Sequence, residues 1–500
     1  MGIIAKQSIK GTIVTYLGVV VGFVTTFFVL TRFLTAEEIG LSRVLIDAAT
    51  LFIGLAQLGT SSSIIRFYPY FRDGQNREHG FFFWTLIIPL LGFALITLLY
   101  LLCYTPLSAW FGEKSPQFVS YYYLVLPMAF FMLYQTIFET NCNVRMHIVV
   151  PRAVRELLVR VGMLIVYLLY AFGVLSMDGF VIGICLNYAV AALINGIYLL
   201  SLGKINWSPD IAFLRANTDL VRRYVTYTGF LIISAVTSVL APTISSFFIT
   251  AQMGLGYTGI FAIATYMAVM VSIPSRSLSA IASPQLAAAI RENNKQEVQH
   301  LIQQVSNNLL LIGGIILMAI WLNIDLIFHI LPNGSEYAEA QHVVLLLGLS
   351  QLVLGAYSIC ANTLNYSRYY AFSLIWSCLL TVSSILLNNY LIPCYGMNGA
   401  ALSNLISYAI YTGSIILTIY LTMHTLAFCR QQAMIVLLLM ACAIMNYGLL
   451  YLCNRWQINI WISAIGRDVL LLVPMIYIAY ARELSPELNA LLRSILIQRN

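Results

Sequence analysis

Along this chain apolar residues gather into long runs, separated by short clusters of charge, proline and glycine. Fourteen such runs can be drawn: 12 to 34, 43 to 65, 81 to 104, 118 to 140, 157 to 175, 180 to 201, 225 to 249, 257 to 283, 302 to 323, 339 to 363, 370 to 392, 398 to 423, 433 to 453 and 461 to 481. A helix needs ~20 apolar residues to cross the hydrocarbon core of a bilayer. The pattern therefore predicts an all-α membrane protein with about 14 transmembrane helices. The first run is too long for a signal-peptide core and has no cleavage pattern after it, so it is read as a retained span.

Composition and charge add an orientation. The 500 residues are 60% hydrophobic and only 9% charged, with a mean hydropathy of +0.85, far from the composition of soluble domains. With the N-terminus inside, only Arg32, Arg43, Lys114, Arg455 and Arg467 fall on the outer side, leaving 21 of the 26 Lys and Arg inside. That asymmetry is the positive-inside signature and predicts that both termini are cytoplasmic. The net charge of +7 then reflects topology and contact with anionic lipid headgroups, and nucleic acid is not an expected partner. Nine cysteines without paired spacing argue against a disulfide framework, and the six histidines lack metal-ligand spacing. No metal or other cofactor is expected. No P-loop pattern occurs, so ATP hydrolysis on this chain is not expected.

The connections are too short for an extramembrane domain; the longest outer ones are about 106 to 117 and 324 to 338. Three Ser-Pro pairs, Ser208-Pro209, Ser283-Pro284 and Ser485-Pro486, read as starts of inner surface helices. Beyond the last, Leu488, Leu491, Leu492 and Ile495 form an apolar stripe suited to lying on the membrane. A shift of 220 residues sets "SMDGFVIGICLNYA" (Ser176 to Ala189) under "GMNGAALSNLISYA" (Gly396 to Ala409), matching Met177 with Met397, Gly179 with Gly399, Tyr188 with Tyr408 and Ala189 with Ala409. Both stretches open the sixth helix of a six-helix group. This implies two pseudo-symmetric lobes in parallel repeat: 1–203 (helices 1 to 6) and 225–423 (helices 7 to 12), with a cytoplasmic linker at 204–224. Residues 424–500 carry helices 13 and 14 and the amphipathic tail. In "PCYGMNGAA", Pro393 is expected to close helix 11, and Gly399 and Ala400 to bring helix 12 close to a neighbour.

At these residues a family resemblance appears. "LIPCYGMNGAALSNLISY" (Leu391 to Tyr408) resembles the signature of the polysaccharide transporter, or Wzx-like oligosaccharide flippase, family of the multidrug/oligosaccharidyl-lipid/polysaccharide exporter superfamily, whose fold is MATE-like. "RFLTAEEIGLSRVLIDAATLFIGLAQLGTSSSIIRFYPYF" (Arg32 to Phe71), "GYTGIFAIATYMAVMVSIP" and "YAEAQHVVLLLGLSQLVLG" are similar to its first hairpin and to its helix 8 and helix 10 regions. The resemblance implies alternating access and movement of a lipid-linked oligosaccharide, of the undecaprenyl-pyrophosphate type, across a bacterial cytoplasmic membrane for surface polysaccharide synthesis, O-antigen and lipopolysaccharide included. It implies no enzymatic activity. The lipid-linked glycan and membrane lipids are its expected partners, with a polysaccharide polymerase and chain-length proteins as further ones.

A pyrophosphate headgroup needs cationic, polar surroundings, because a charge at the bilayer centre costs several kcal/mol. Five residues in or beside the spans are candidates: Arg32, Arg43, Asp47, Arg66 and Arg276. Arg32 and Arg66 have snorkelling to the headgroups as their competing role. Arg43 and Asp47, four apart, could form a structural pair on one helix face. Arg276 stands among Ser272, Ser275, Ser277, Ser279 and Ser283, beyond Pro274, in a segment suited to line a cavity. Glu139 and Arg160 read as interfacial. Trp84, Trp321 and Trp461 read as interface anchors. "GLGYTG" (Gly254 to Gly259) lacks a preceding strand and is no dinucleotide site. Two rivals stand beside the flippase. A cation-coupled multidrug exporter would need intramembrane carboxylates, which helix 1 lacks and helices 7 to 12 lack apart from Glu339 at an edge. A membrane glycosyltransferase or polymerase would need paired carboxylates that the short outer loops hardly supply.

Overall fold

A computed structural model describes residues 14–15, 17–71, 78–203, 208–485 and 489, and all regular structure among them is helical. Each of the fourteen apolar runs falls on a helical stretch: α1 (Leu17–Phe33), α2 (Ala36–Ala56), α3 (Phe81–Leu102), α4 (Val125–Val144), α5 (Val159–Ala171), α6 (Met177–Ser201), α7 (Thr218–Gln252), α8 (Leu255–Val269), α9 (Lys295–Leu322), α10 (Gln341–Ala356), α11 (Ala371–Tyr395), α12 (Met397–Met423), α13 (Arg430–Arg455) and α14 (Ile460–Arg467). Several continue in further segments, among them Thr60–Phe71 after α2, Ile273–Arg291 after α8, Ser358–Tyr366 after α10 and Val473–Ala481 after α14. Ten of the described helical stretches are by themselves long and apolar enough to cross a membrane, and α1 is among the shorter apolar ones.

Local chemistry fixes where helices begin and end. Thr35 and Glu38 form a capping box at α2, the Glu38 N–H donating to Thr35 Oγ1 (3.3 Å) and the Thr35 N–H to Glu38 Oε2 (2.8 Å). Ser176 accepts the Gly179 N–H at 3.2 Å to start α6. The Ser-Pro expectations are corrected at two places. The linker helix Ile211–Ala216 opens at Asp210, whose carboxylate accepts the Phe213 N–H at 2.9 Å, two residues beyond Ser208. Ser283-Pro284 lies inside Ile273–Arg291, where the helix tolerates the missing proline N–H and Ser283 Oγ accepts from Asn362 Nδ2 at 3.3 Å. The third pair reaches into the tail, which lies outside the described residues, as do linker residues 204–207.

The chain packs as two compact units, Met1–Gly259 and Ile260–Asn500. In the first, α4 packs on α6 and α2, α2 on α3 and α7, and α5 on α6. In the second, three of these pairings recur six helices later: α10 on α12, the Ile273–Arg291 continuation of α8 on α9, and α11 on α12. This recurrence is the repeat seen in the sequence. The core of the second unit runs through Leu309 of α9, Leu352 of α10, Ile415 of α12, Leu439 of α13 and Met475 beyond α14, so the last two helices pack as part of it. Trp321, expected at a lipid interface, is buried against this unit instead.

Helices in lipid gain little from hydrophobicity when they associate, so close contact depends on small residues. Pro393 does not close α11, which runs on to Tyr395 and is ended by Gly396 at φ 59°. This backbone conformation suits glycine. Gly399 follows, and a Cβ there would overlap the Leu391 carbonyl; Ala400 and Ala401 are fully buried beside it. Gly399→Leu should therefore lower the yield of folded protein in the membrane and Gly399→Ala should lower its melting temperature, by overpacking of about 1–3 kcal/mol. Fluorescence-detected size exclusion and a thermal melt measure both, and unchanged values for the two variants would show the contact to be incidental.

Candidate functional site

Charges inside a bilayer are costly unless they are paired or reach water, so the location of each partner matters. On α2, Arg43 Nε donates to Asp47 Oδ2 at 2.9 Å, and Ser246 of α7 adds a hydrogen bond to the same carboxylate. Asp47 is buried. These two candidates are brought together as the i,i+4 spacing predicts, in a pair that also ties α2 to α7. The other three lie on three other helical segments. Arg32 is exposed at the end of α1, 5.4 Å from the Phe33 ring. Arg66 is exposed on Thr60–Phe71, its guanidinium 4.1 Å from the Tyr227 ring centroid, a cation–π contact. Arg276 is exposed on Ile273–Arg291.

Around Arg276 the serines divide the work. A turn of 3-10 helix, Met270–Ser272, interrupts the α-helix, and Pro274 sits at the start of the segment that resumes. Ser272 Oγ donates to Val269 O (3.0 Å) and Ser275 Oγ to Ser272 O (2.7 Å), which satisfies the hydroxyls within their own turn. Ser279 pairs with Ser358 (3.1 Å), holding Ile273–Arg291 against Ser358–Tyr366. Only Ser277 shares the exposure of Arg276. The serine-rich face is therefore partly a helix-to-helix contact. Among the described residues none of Arg32, Arg66 and Arg276 forms an ion pair.

Two larger charge networks in the first unit were not singled out from the sequence. Glu78, just before α3, is buried and salt-bridged to Arg145 at the end of α4. Tyr68 OH donates to Glu78 Oε1 at 2.6 Å, and Arg145 Nη1 donates to Asn141 O at 2.9 Å. Arg145 thus does more than mark the inner side. The next residue, His79, stacks on Phe213 at 3.9 Å and meets Asp210 at 3.1 Å, which fastens the linker helix to the start of α3. The Phe213 N–H and then the His79 imidazole hold the Asp210 carboxyl below the usual carboxylate range.

The second network gives Glu139 and Arg160, read as interfacial, partners within the protein. Arg155 Nη1 donates to buried Glu139 at 2.8 Å and Arg155 Nε to Glu156 at 3.3 Å, while Arg160 Nη2 donates to Glu156 at 3.0 Å and Nη1 to the Gly18 carbonyl at 2.7 Å. A side chain on Gly18 would overlap the Glu156 backbone, and a Cβ on Gly22 would lie 2.9 Å from Arg160 Nη1, so the Gly18-x-x-x-Gly22 face admits α5 and its arginine. Glu156 and Arg160 are four apart, the same signal that identified Arg43 and Asp47. Glu139 and Arg155 carried no such signal. Both partner helices contain a π-helical turn, Thr25–Leu30 in α1 and Val154–Leu158 before α5. In the second unit, Arg467, read as an outer topological charge, is buried, donating to Ser463 O and Asn446 Oδ1, both at 3.3 Å. Asp468 beside it accepts from Asn323 Nδ2 at 2.9 Å.

Asp47, Glu139, Glu156 and Asp468 are thus held by arginine or by polar side chains, whereas Glu339, at the edge of its span, is exposed and forms no ion pair among the described residues. Exposed, unpaired cationic groups are the feature left open to a ligand, and a guanidinium offers phosphate two parallel hydrogen bonds. Removal of one partner from a buried pair leaves the other uncompensated, at a cost of about 3–5 kcal/mol. Glu78→Ala should therefore lower the melting temperature sharply, and Glu78→Leu combined with Arg145→Met should recover most of the loss. A double variant no better than the single one would show that the pair is not an isolated unit.

The same fold is found in proteins of known structure. The chain superposes on the lipid II flippase MurJ in an inward closed conformation with a TM-score of 0.70 at 15% identity, covering 95% of this chain and 99% of that one. An inward-facing multidrug resistance MATE family transporter of the MOP superfamily gives 0.62 at 14% identity, with 81% and 94% covered. A mutant of the Vibrio cholerae MATE transporter VcmN gives 0.54 at 14% identity, with 85% and 100% covered. At such identities the likeness establishes the fold. No curated protein matches the sequence significantly. The family model described as "Polysaccharide biosynthesis protein" matches residues 4–286, more than half the chain, and the protein belongs to that family.

Proposed function

We propose that the chain is a flippase that carries a lipid-linked oligosaccharide, of the undecaprenyl-pyrophosphate type, across a bacterial cytoplasmic membrane by alternating access, for surface polysaccharide synthesis. The observation that carries this reading is the distribution of charge: the guanidiniums of Arg32 and Arg276 are exposed and without an ion pair, while the carboxylates Asp47, Glu139, Glu156 and Asp468 are engaged and only Glu339, at a span edge, is exposed among the carboxylates of helices 7 to 12 named from the sequence. An anionic headgroup needs such cations. A cation-coupled exporter needs a carboxylate free to take up and release its ion. The membership in a polysaccharide biosynthesis family and the full-length likeness to a lipid II flippase support the same substrate class. On this reading the chain moves its substrate and catalyses no bond change, and a polymerase and chain-length proteins act on what it delivers.

Arg276 is the residue proposed to grip the headgroup. A charge-assisted hydrogen bond contributes about 1.5–3 kcal/mol, so Arg276→Ala should slow movement of a fluorescent lipid-linked glycan in reconstituted vesicles by about tenfold or more. Arg276→Lys should fall between, since an ammonium is a point charge without the planar fork. A snorkelling arginine would leave the alanine variant at full rate, and that result would overturn the assignment. Dye efflux driven by a proton or sodium gradient, without glycan movement, would favour the exporter instead.

The topology has its own check. The basic asymmetry, 21 inside against 5 outside, motivates fourteen spans with both ends in the cytoplasm. Reporter fusions after Asn206 and after Asn500 should both give cytoplasmic signals, and an outer-side signal from either contradicts the arrangement.

A further inference from the structure

One cavity of the first unit is apolar and touches the charge networks at its closed end, where the Arg145 guanidinium lies 6.0 Å from the Phe82 ring. It is a groove of 280 Å³ with Tyr134 and Phe138 of α4 as its floor, Leu86 and Leu90 of α3 on one wall, and Gly196 and Leu200 of α6 on the other. Its lining is almost wholly apolar, and the one phenol in it is already satisfied, Tyr134 OH donating to Leu86 O at 3.1 Å. Leu90 and Leu200 are exposed at its rim. One end is closed by Phe82 and Leu199, buried together with Cys142. Tyr198 packs on that cluster, and its hydroxyl lies 3.2 Å from Nδ1 of the exposed His147. On the proposed topology this end is the cytoplasmic one, because α3 starts there and α4 and α6 finish there. The groove therefore occupies inner-leaflet depth, with polar N–H and O–H groups at headgroup level.

We propose that this groove receives a length of the isoprenoid chain of the lipid-linked substrate while its head is still at the inner surface. The inference rests on the flippase reading and extends it to where the lipid tail is held. Water is excluded as an occupant by the apolar lining and the depth, since a buried water needs two or more polar partners. What remains is a hydrocarbon chain, and the aromatic rings of Tyr134 and Phe138 in the lining favour an unsaturated one. Gly196 packs directly on the Phe138 ring edge, since a Cβ there would come within 3.1 Å of it, and so leaves the ring open to the groove. Planar alkene units lie flat on aromatic faces, and a chain stiffened by double bonds has less rotamer freedom to lose than a saturated acyl chain, whose ordering would oppose binding. A phosphate at the head of the chain would then sit by the hydrogen-bonded pair of His147 and Tyr198, which keeps one N–H or O–H to donate to it.

The test uses the full-length protein in vesicles of phosphatidylethanolamine and phosphatidylglycerol, with two photoactivatable probes: a polyprenyl phosphate without glycan, and a phosphatidylethanolamine labelled in its acyl chain. The polyprenyl probe should label peptides spanning 82–90 and 196–200, and unlabelled polyprenyl phosphate should compete it away. Leu200→Trp, which narrows the rim, should reduce that labelling about tenfold, and Gly196→Val, which pushes against the Phe138 ring and covers it, should do the same from the floor. Equal labelling by the phospholipid probe, label outside these peptides only, or label unchanged in both variants would overturn the proposal. Competition on the unmodified protein decides the matter even where a variant fails to fold. Normal glycan movement without groove labelling removes the groove alone, whereas groove labelling without any glycan movement removes the flippase reading.

Discussion

Inside hydrocarbon there is no water to satisfy a polar group, and every other feature of this protein follows from that constraint. Backbone groups are met within helices, which is why apolar runs suffice to locate them. Threonine and serine hydroxyls turn back onto their own helix, as Thr25 does to Val21 O and Thr31 to Phe27 O, both at 2.8 Å. Charges are tolerated where they find a partner across a helix contact. Asp47 is held by Arg43 and Ser246, and Glu139 by Arg155. A pair that must be satisfied in this way also fixes which helices touch and at what register, so the ionic contacts serve as specificity devices as much as sources of stability. The Arg160 contact with the Gly18 carbonyl is an example: it requires both the arginine and the bare glycine face opposite.

The same constraint explains what could be read from sequence. Helix number and order depend on composition over long windows, so the fourteen runs and the 220-residue repeat were legible, and the repeated helix pairings follow from them. Pairs within one helix were legible too, because 3.6 residues per turn places Arg43 over Asp47. Contacts across helices were not. Glu78 and Arg145 are 67 positions apart, and nothing local to either announces the other. Arg467 and Arg145 sat at span ends and looked like topology markers, yet tertiary packing closes over both side chains. Proline misled at Ser283-Pro284 and at Pro393, because a neighbouring helix can satisfy the backbone that a proline frees, and the helix continues.

On the proposed reading the protein is a carrier, which has to favour neither of its end states strongly, and the bonding pattern suits that requirement. Helix association in lipid rests on close packing and on polar contacts of roughly 0.6 kcal/mol each, with no hydrophobic term between helices. Contacts of that size, such as Ser279 with Ser358 or Asn362 with Ser283, can be exchanged for others without a large change in free energy. The buried ion pairs are different in kind, since breaking one strands a charge. Those in the first unit join segments near each other along a lobe and so preserve its shape. On the proposed reading, substrate free energy is then spent on the balance between states. A headgroup that gains about 1.5–3 kcal/mol from one arginine in the state that engages it shifts a two-state population by roughly tenfold to a hundredfold, whereas a ligand held equally in both states shifts nothing. A single exposed guanidinium such as Arg276 is therefore sufficient leverage, provided that no carboxylate of the protein neutralises it first, and among the described residues none does.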